Sequence, residues 1–315
     1  MMKRYAIGID LGGTAVKFGV VDSLGEVLYS GKLPTLADQG REVVIGQILK
    51  GVERALDYAK EAKIGVIGVG IGTPGIVSED EKVVLGGAEN LPEWENLELA
   101  KRIEEVFDLK CWLNNDANMM ALAETRFGAA KGSTDVVFLT VGTGIGGGVL
   151  IGGELYGGYK NRGTEFGHIV INCAGEECNC GGVGCLEYYA STSALVRDFK
   201  RTVEMSGVTF DEECNGELIV KLYHEGNSLA KEVLNRHWDY LGFGITSIIH
   251  IFSPERVVVG GGISEAGEFY LEELRRRVER YAMKECSLNT KIVGAKLGNG
   301  AGTLGAAALV FSHIR

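Results

Sequence analysis

The 315-residue sequence has little proline and a deficit of positive charge. It contains 4 prolines and no stretch rich in proline or serine, so we expect domains joined by crossing segments and not by a flexible linker. The 32 Lys and Arg residues against 42 Asp and Glu residues give a net charge of −10. General binding to nucleic acid or to an anionic membrane requires surplus cations, so the composition argues against both partners.

Long apolar runs and a disulfide framework are also missing. The apolar run Tyr5–Ile9 ends at Asp10 and is too short for the apolar region of an export signal. The 18 residues from Val136 to Gly153 carry no charge, but their seven glycines disfavour a spanning helix, so we predict a buried β-hairpin. Seven cysteines, an odd number with three of them close together, favour a reducing compartment and a metal site. We therefore expect a cytoplasmic protein.

Glycine, in contrast, is abundant, with 47 residues and no collagen period. The segments Tyr5–Asp22 and Phe138–Ile151 both have the pattern of a strand, a glycine turn and a second strand. A dinucleotide-binding fold would need a helix after Gly12, where this chain continues with β-forming residues. A second pair of similar segments is Val66–Gly75 and Val257–Gly262, each with the pattern of a buried strand that ends in glycines. Either glycine-rich strand ends look alike by chance, or the chain consists of two α/β halves with one plan, which we predict.

Helical periodicity is found between these strands. The predicted helices are Val43–Lys60, Ala117–Phe127 with Asp116 as its cap, Leu229–Phe252, Phe269–Met283 and Gly302–Phe311. Alternating strands and helices of this kind indicate an α/β protein.

The two glycine hairpins are candidate phosphate-binding loops. A turn of this composition presents several backbone N–H groups to one point without a side chain in the way, and Thr14 and Thr143 add hydroxyl donors. Asp10 would offer a carboxylate oxygen to Mg²⁺, directly or through water. The alternative is that the glycines serve only as tight turns.

A second candidate site is the segment that contains Asn115 and Asp116. It lies at a predicted junction between a strand and a helix, where open α/β sheets often contact ligands. A carboxylate there would accept the proton of a hydroxyl that attacks a γ-phosphate. The alternative is that Asp116 only caps its helix.

A cysteine-rich block with an upstream histidine is the most specific motif. The four candidate ligands are His168, Cys178, Cys180 and Cys185. Three cysteines and one histidine form the donor set of a closed tetrahedral Zn²⁺ site, so we predict a structural zinc. Coordination would fix the ring of His168 and leave its second nitrogen to donate to a ligand, while Glu165 and Glu187 would accept hydrogen bonds from vicinal sugar hydroxyls. An iron–sulfur cluster, which usually needs four cysteines, and unrelated free thiols are the alternatives.

At these motifs the sequence resembles the ROK family of repressors, open reading frames and sugar kinases, most closely its glucokinases. The matching segments, in family order, are IDLGGT, GTPG, NLPEW, NNDAN, TVGTGIGGG, EFGH, CNCGGVGCLE and VVVGGGIS. The resemblance implies two actin-like ATPase domains of the ribonuclease H-like α/β type, with ATP and sugar in an interdomain cleft. We expect a small domain of residues 1–115 plus 302–315, and a large domain of residues 116–301 that carries the zinc.

The resemblance also implies roles for individual residues. Asp116 matches the family's general base for the sugar 6-hydroxyl. The implied sugar contacts are Gly75, Asn90, Asn115, Asp116, Glu165, His168 and Glu187. The implied zinc ligands are His168, Cys178, Cys180 and Cys185. The implied nucleotide contacts are Asp10, Gly12, Gly13, Thr14, Lys17, Gly142, Thr143, Gly144, Gly146, Gly261 and Gly262, the last two near the adenosine. Many members have lysine directly after the first Gly-Gly-Thr, where this chain has Ala15, so the part played by Lys17 is open.

The expected activity is phosphorylation of the 6-hydroxyl of glucose, with ATP, Mg²⁺ and a structural Zn²⁺. Two alternatives remain: a kinase for N-acetylmannosamine, N-acetylglucosamine or fructose, and a non-catalytic sugar-sensing regulator that lacks a DNA-binding domain. Nine residues precede Asp10, too few for a helix-turn-helix, so we expect none ahead of the first hairpin. The resemblance also leads us to expect a homo-oligomer, a dimer or a tetramer.

Overall fold

The computed structural model describes residues 3–88, 90–208 and 212–314. The strands are β1 (Tyr5–Leu11), β2 (Ala15–Asp22), β3 (Val27–Pro34), β4 (Val66–Thr73), β5 (Ile76–Val77), β6 (Val84–Gly86), β7 (Cys111–Asn115), β8 (Val136–Val141), β9 (Ile145–Ile151), β10 (Glu154–Leu155), β11 (Arg256–Gly260) and β12 (Lys291–Gly294). The α-helices are α1 (Arg41–Glu61), α2 (Leu99–Phe107), α3 (Asp116–Arg126), α4 (Leu186–Ala190), α5 (Thr192–Ser206), α6 (Gly216–His224), α7 (Ser228–Phe252), α8 (Glu268–Tyr281), α9 (Lys284–Ser287) and α10 (Ala301–His313). Short 3-10 helices cover Ala37–Gln39, Tyr159–Asn161, Phe166–His168, Gly262–Ala266 and Gly298–Gly300.

The chain divides into two compact units. Unit 1 comprises Met1–Thr134, Gly148–Thr164 and Lys296–Arg315, and unit 2 comprises Asp135–Gly147 and Glu165–Ala295. These bounds differ from the expected domain limit at residues 115 and 116, because α3 packs on α10, where the backbone of Met119 lies against Gly305. Both helices therefore belong to unit 1.

The two five-stranded sheets have one plan. The first has the strand order β3-β2-β1-β4-β7, in which β1, β2 and β3 are antiparallel and β4 runs parallel to β1 and β7. The second has the order β10-β9-β8-β11-β12, in which β11 runs parallel to β8 and β12. In each sheet a hairpin lies beside two parallel strands. The prediction of two α/β halves with the same design is therefore confirmed, as are both glycine hairpins.

The first sheet packs on helices through its two faces, as the alternation of β1 dictates. Ile7 and Ile9 lie in a fully buried cluster with residues of α1, such as Ile48. On the other face, a Cβ atom on Gly8 would overlap the carbonyl oxygen of Thr303, and one on Gly70 of β4 would overlap that of Ala306. Glycine at these positions lets the backbone of α10 lie directly on the sheet, which explains part of the high glycine content.

The predicted helices are present within two residues of their expected bounds, with one correction. Asp116 does not precede α3 but is its first residue, and Asn115 is the N-cap, since its side chain accepts a hydrogen bond from the backbone N–H of Ala117. Five of the described helices, namely α2, α4, α9, α5 and α6, were not predicted from the sequence. The starts of the last two are marked by the capping side chains of Ser191 and Asn215.

Within the described part of the chain, none of the helices combines the length and the apolar character that crossing a membrane requires.

Candidate functional site

The first glycine hairpin has an ordered base and an exposed tip. The backbone N–H of Gly12 donates to the carbonyl of Ala15 at 3.0 Å, and the hydroxyl of Thr35 donates to the carbonyl of Gly12 at 2.6 Å. Gly13 and Thr14, at the tip, are exposed. Their backbone and hydroxyl donors are therefore available to an anion, as a phosphate-binding loop requires.

Asp10 lies at the end of β1, next to this hairpin, and is only 8% exposed. Burial raises the pKa of its carboxyl group, and the ammonium of Lys17, 3.5 Å from the carboxylate, opposes that rise. A Cβ atom on Gly302 would lie 2.6 Å from Oδ1 of Asp10, so the carboxylate is held against the start of α10. A desolvated carboxylate with one partial countercharge suits a hard cation such as Mg²⁺.

Lys17, whose role the sequence left open, faces Asp10 across the hairpin in the register of β1 and β2. Its ammonium also donates to the carbonyl of Asn299 at 3.4 Å. In this structure Lys17 neutralises part of the charge of Asp10 and ties β2 to the segment before α10.

Three predicted sugar contacts lie in unit 1, and two of them are hydrogen-bonded to each other. The side-chain amide of Asn115 donates to the carbonyl of Gly75 at 3.1 Å. Gly75 has φ +90°, and a Cβ atom there would lie 2.5 Å from the carbonyl of Gly86, so only glycine fits this turn. The exposed Asn90 lies beside the hairpin, since its Cβ is 3.9 Å from the position of a Cβ on Gly13.

Asp116 follows Asn115 at the carboxyl end of β7 and opens α3. Its Oδ1 accepts a hydrogen bond from the backbone N–H of Ala117 at 2.9 Å. The carboxylate is therefore held at the start of α3, directly after Asn115.

The predicted metal ligands converge in unit 2. The ligand atoms of His168, Cys178, Cys180 and Cys185 all lie within 4.8 Å of one another. Nδ1 of His168 is 3.9 Å from Sγ of Cys178, and Sγ of Cys180 is 3.6 Å from Sγ of Cys185. A tetrahedron with Zn–S bonds of about 2.3 Å places its sulfur atoms roughly 3.8 Å apart, which matches this arrangement. The donor set fits Zn²⁺.

The electrostatics of two of these cysteines differ. A backbone hydrogen bond from Gly182 lowers the pKa of Cys180, which favours the thiolate that binds metal. Burial and the neighbouring thiols raise the pKa of Cys185 to about 12. A divalent cation would offset that cost by neutralising the thiolates.

Glu187, two residues after Cys185, connects the cysteine block with the second glycine hairpin. Its Oε2 accepts a hydrogen bond from the backbone N–H of Ile145 at 2.7 Å, and a Cβ atom on Gly144 would overlap the same oxygen. Glu165 is exposed and immediately precedes the turn that carries His168. Both acidic residues predicted as sugar contacts thus lie on segments that a metal would fix.

The second hairpin opens onto a groove in unit 2. The backbone N–H of Gly142 donates to the carbonyl of Gly144 at 2.9 Å, while Thr143 is exposed. Gly261 has φ +85°, and a Cβ atom there would overlap the carbonyl oxygen of Val141, so the end of β11 lies against the end of β8. Gly142, Thr143 and Gly262 line a groove of about 950 Å³. Gly146 lies further along, in β9.

Part of this groove was not predicted from the sequence. Thr192, Asn215 and Gly216 also line it, and they lie at the starts of α5 and α6. The backbone N–H of Thr192 donates to the carbonyl of Gly142 at 2.8 Å. The capping residues before these two helices were the available signal.

The predicted residues thus form two sets. Unit 1 brings together Asp10, Gly12, Gly13, Thr14, Lys17, Gly75, Asn90, Asn115 and Asp116. Unit 2 brings together Gly142, Thr143, Gly144, Gly146, Glu165, His168, Cys178, Cys180, Cys185, Glu187, Gly261 and Gly262.

Comparison with known proteins gives consistent results. The glucokinase of Thermotoga maritima is 36% identical over 321 residues, which cover 100% of this chain and 99% of that protein. The xylose repressor of Caldicellulosiruptor bescii is 31% identical over 98% of this chain and 78% of its own length. The crystal structure of a ROK family glucokinase from Streptomyces griseus, in complex with glucose and AMPPNP, superposes with a TM-score of 0.81 at 33% identity, over 98% of this chain and 99% of that one. The actin-like ATPase fold of the ROK kinases is therefore confirmed for this chain.

The model of the ROK family matches residues 6–313, from the start of β1 to the end of α10. The match includes the two glycine hairpins, the strand–helix junction at Asp116 and the histidine–cysteine cluster. The chain belongs to the ROK family.

Proposed function

We propose that this protein is a glucokinase that transfers the γ-phosphoryl group of Mg·ATP to the 6-hydroxyl of glucose. The support is the combination of two exposed glycine hairpins, a helix-anchored carboxylate and a Cys₃His cluster. Glucokinases are among the relatives of this chain, and one solved relative holds glucose and AMPPNP.

In this proposal Asp116 is the general base. The sugar 6-oxygen attacks the γ-phosphorus, the bond from that phosphorus to the bridging oxygen of ADP breaks, and the hydroxyl proton passes to the carboxylate of Asp116. Strong basicity is not needed, because phosphoryl transfer depends on positioning and charge stabilisation more than on proton abstraction. A carboxylate fixed by the start of α3 meets that need.

The other predicted residues hold the reactants. Gly75, Asn90 and Asn115 would contact the sugar from unit 1, and Glu165, His168 and Glu187 would accept or donate hydrogen bonds to its hydroxyls. The two hairpins would donate backbone N–H groups to the phosphates, with Gly261 and Gly262 near the adenosine. Asp10 would hold Mg²⁺, which neutralises phosphate charge when bound. The zinc, held by the four predicted ligands, would be structural and would fix the segments of Glu165 and Glu187.

The observation that carries the proposal is the position of Asp116, beside an asparagine whose amide is hydrogen-bonded to Gly75. Replacing Asp116 with Asn keeps the size of the side chain and an oxygen that can accept from the N–H of Ala117, but removes the proton acceptor. We expect Asp116→Asn to lower kcat by about a hundredfold to ten-thousandfold, the range that loss of a general base produces. Zinc content and thermal midpoint should stay at the wild-type values. A variant with wild-type turnover would refute the role of Asp116.

Sugar specificity requires its own experiment. Glucose, fructose, N-acetylglucosamine and N-acetylmannosamine should be compared by kcat/KM at saturating ATP and Mg²⁺. We expect the highest value with glucose. A higher kcat/KM with another hexose would show that the protein is a sugar kinase with a substrate other than glucose.

A sugar-sensing regulator is the second candidate, since a xylose repressor is 31% identical over nearly all of this chain. Binding of glucose or xylose measured by calorimetry, together with no formation of ADP from ATP in the presence of any of the sugars above, would favour the regulator over the kinase.

We further propose that the protein acts in the cytoplasm as a homo-oligomer, a dimer or a tetramer, without nucleic acid or membrane partners. Sedimentation equilibrium would give the oligomeric state.

A further inference from the structure

A buried asparagine precedes the two polar residues of the strand–helix junction. Asn114 is 2% exposed and lies at the end of β7. Its side-chain oxygen accepts two hydrogen bonds of 2.9 Å, one from the backbone N–H of Asn115 and one from the side-chain amide of Asn118 in α3. Asn114 therefore links the last residues of β7 with the first turn of α3, on both sides of Asp116.

This link works in only one orientation of the amide. If the Asn114 side chain were turned by 180°, its NH₂ group would face the backbone N–H of Asn115, and that hydrogen bond would be lost. Something must therefore select the orientation that points the oxygen towards Asn115.

Glu81 makes that selection. The NH₂ group of Asn114 donates to Oε1 of Glu81 at 2.8 Å. A carboxylate offers acceptors only, so the NH₂ group must face Glu81 and the oxygen must face Asn115. Because one partner is ionised, this hydrogen bond is stronger than one between neutral groups.

Glu81 is itself held firmly. Its carbonyl accepts a hydrogen bond from the backbone N–H of Leu113 at 2.8 Å, and its N–H donates to the carbonyl of Ser78 at 2.9 Å. Its φ is +59°, a left-handed conformation that a non-glycine residue keeps only where its surroundings impose it.

The second oxygen of Glu81 is also occupied. Oε2 lies 2.6 Å from Nε2 of His313, near the end of α10. The ring of His313 stacks on Trp112 of β7, with the centroids 4.9 Å apart and the planes at 5°. Burial raises the pKa of Glu81, while His313 and Asn114 oppose the rise. The carboxylate is thus a fixed acceptor between the end of α10 and the end of β7.

From this chain of contacts we infer that Glu81 is a positioning residue for phosphoryl transfer. Through Asn114 it fixes the junction that carries Asn115 and Asp116, and so the direction of the carboxylate that receives the sugar proton. The inference rests on the proposed function, because it assigns a role relative to the general base.

Three variants test it: Glu81→Leu, Asn114→Asp and the double variant Glu81→Gln with Asn114→Asp. Glu81→Leu removes the acceptor and frees the Asn114 amide to turn, so kcat should fall by about tenfold or more, as expected when a catalytic group is misplaced. The KM for ATP should stay constant, because the glycine hairpins are unchanged. Asn114→Asp places a second carboxylate against Glu81 and should lower kcat at least as much.

The double variant gives the decisive readout. The glutamine introduced in place of Glu81 would donate its NH₂ group to the aspartate introduced in place of Asn114. The other oxygen of that aspartate would still accept from Asn115, so the link is rebuilt with the donor and acceptor exchanged. We expect kcat to recover to within about threefold of the wild type. Glu98→Gln is the control: it changes an exposed carboxylate that pairs with Lys101, and should leave kcat unchanged.

The outcomes are distinct. Wild-type protein with no sugar-dependent ATP turnover would overturn the proposed function, and the inference with it. An active wild type whose Glu81→Leu variant keeps full kcat would overturn the inference alone. If Glu81→Leu fails to fold, Asn114→Asp and the double variant decide: a double variant as slow as Asn114→Asp, at an equal thermal midpoint, would also overturn it.

Discussion

Replacing His237 with glutamine should reduce the loss of unfolding free energy that unit 2 suffers as the pH falls below 6.5. His237 lies in α7 and is 2% exposed. Its Nε2 is 2.6 Å from the hydroxyl of Tyr270, whereas its Nδ1 has no hydrogen-bond partner among the described residues. Burial therefore lowers the pKa of His237 to about 4. Glutamine keeps a polar group for Tyr270 but has no charged form.

The size of the effect follows from linkage. An exposed histidine has a pKa of about 6.5, so the unfolded chain binds a proton that the folded chain excludes. The contribution of the neutral His237 to the unfolding free energy is fully present above pH 6.5 and is lost as the pH falls from 6.5 towards 4. The loss amounts to about 2 kcal/mol at pH 5 and to about 3 kcal/mol below pH 4.

The assay is urea unfolding at pH 7.5, 6.5, 5.5 and 5, followed by the fluorescence of the buried Trp238. The other two tryptophans, Trp94 and Trp112, lie in unit 1 and are replaced by Phe in every protein, so that the signal reports unit 2. The exposed His224 is the matched control, replaced by Gln. We expect the difference in unfolding free energy between the His237→Gln variant and its parent to shift by about 2 kcal/mol between pH 7.5 and 5. Parallel pH curves for the two proteins would refute the reasoning.

Three further predictions concern packing, charge and metal. Gly70→Ala should lower the free energy of unfolding by roughly 3 kcal/mol, because its Cβ would overlap the backbone of α10. Gly46→Ala, in the middle of α1 with free space around it, should raise the free energy of unfolding by about 0.5–1 kcal/mol. Equal urea midpoints for the two variants would contradict this. Lys17→Met should raise the pH below which kcat/KM for ATP falls, because Lys17 opposes the burial that raises the pKa of Asp10. If the pH profile of kcat/KM did not move, Asp10 would have no part in nucleotide binding. Cys180→Ser should reduce bound zinc, measured by mass spectrometry, from about one per chain and lower the thermal midpoint; unchanged metal content would contradict the site.

The features that could be predicted from the sequence are local. The glycine hairpins and the cysteine block bring their residues together over fewer than twenty positions, so spacing and residue type define the geometry. The predicted N-cap of α3 was wrong by one residue, because Asn115 and Asp116 are both good N-cap residues and only the backbone conformation distinguishes them.

The features that could not be predicted depend on contacts between distant segments. Glu81 and His313 are separated by 232 positions, and nothing in the loop around Glu81 indicates a partner at the end of α10. In the same way, Gly8 and Gly70 look like ordinary strand glycines until α10 lies on them. The pattern of one strand indicates which face is buried, but it does not identify the helix that buries it.

Unit 2 shows why a metal with a closed coordination shell would still matter to nucleotide binding. Cys185 immediately precedes α4, and Glu187 in that helix accepts a hydrogen bond from Ile145, the first residue after the glycine loop. His168 ends the turn that begins with Phe166, whose ring lies where a Cβ atom on Gly147 would be. The cysteine block and the histidine turn therefore both support the start of β9, and one cation would fix both supports. A metal that takes no part in the chemical step would in this way determine how rigidly the second hairpin presents its backbone donors.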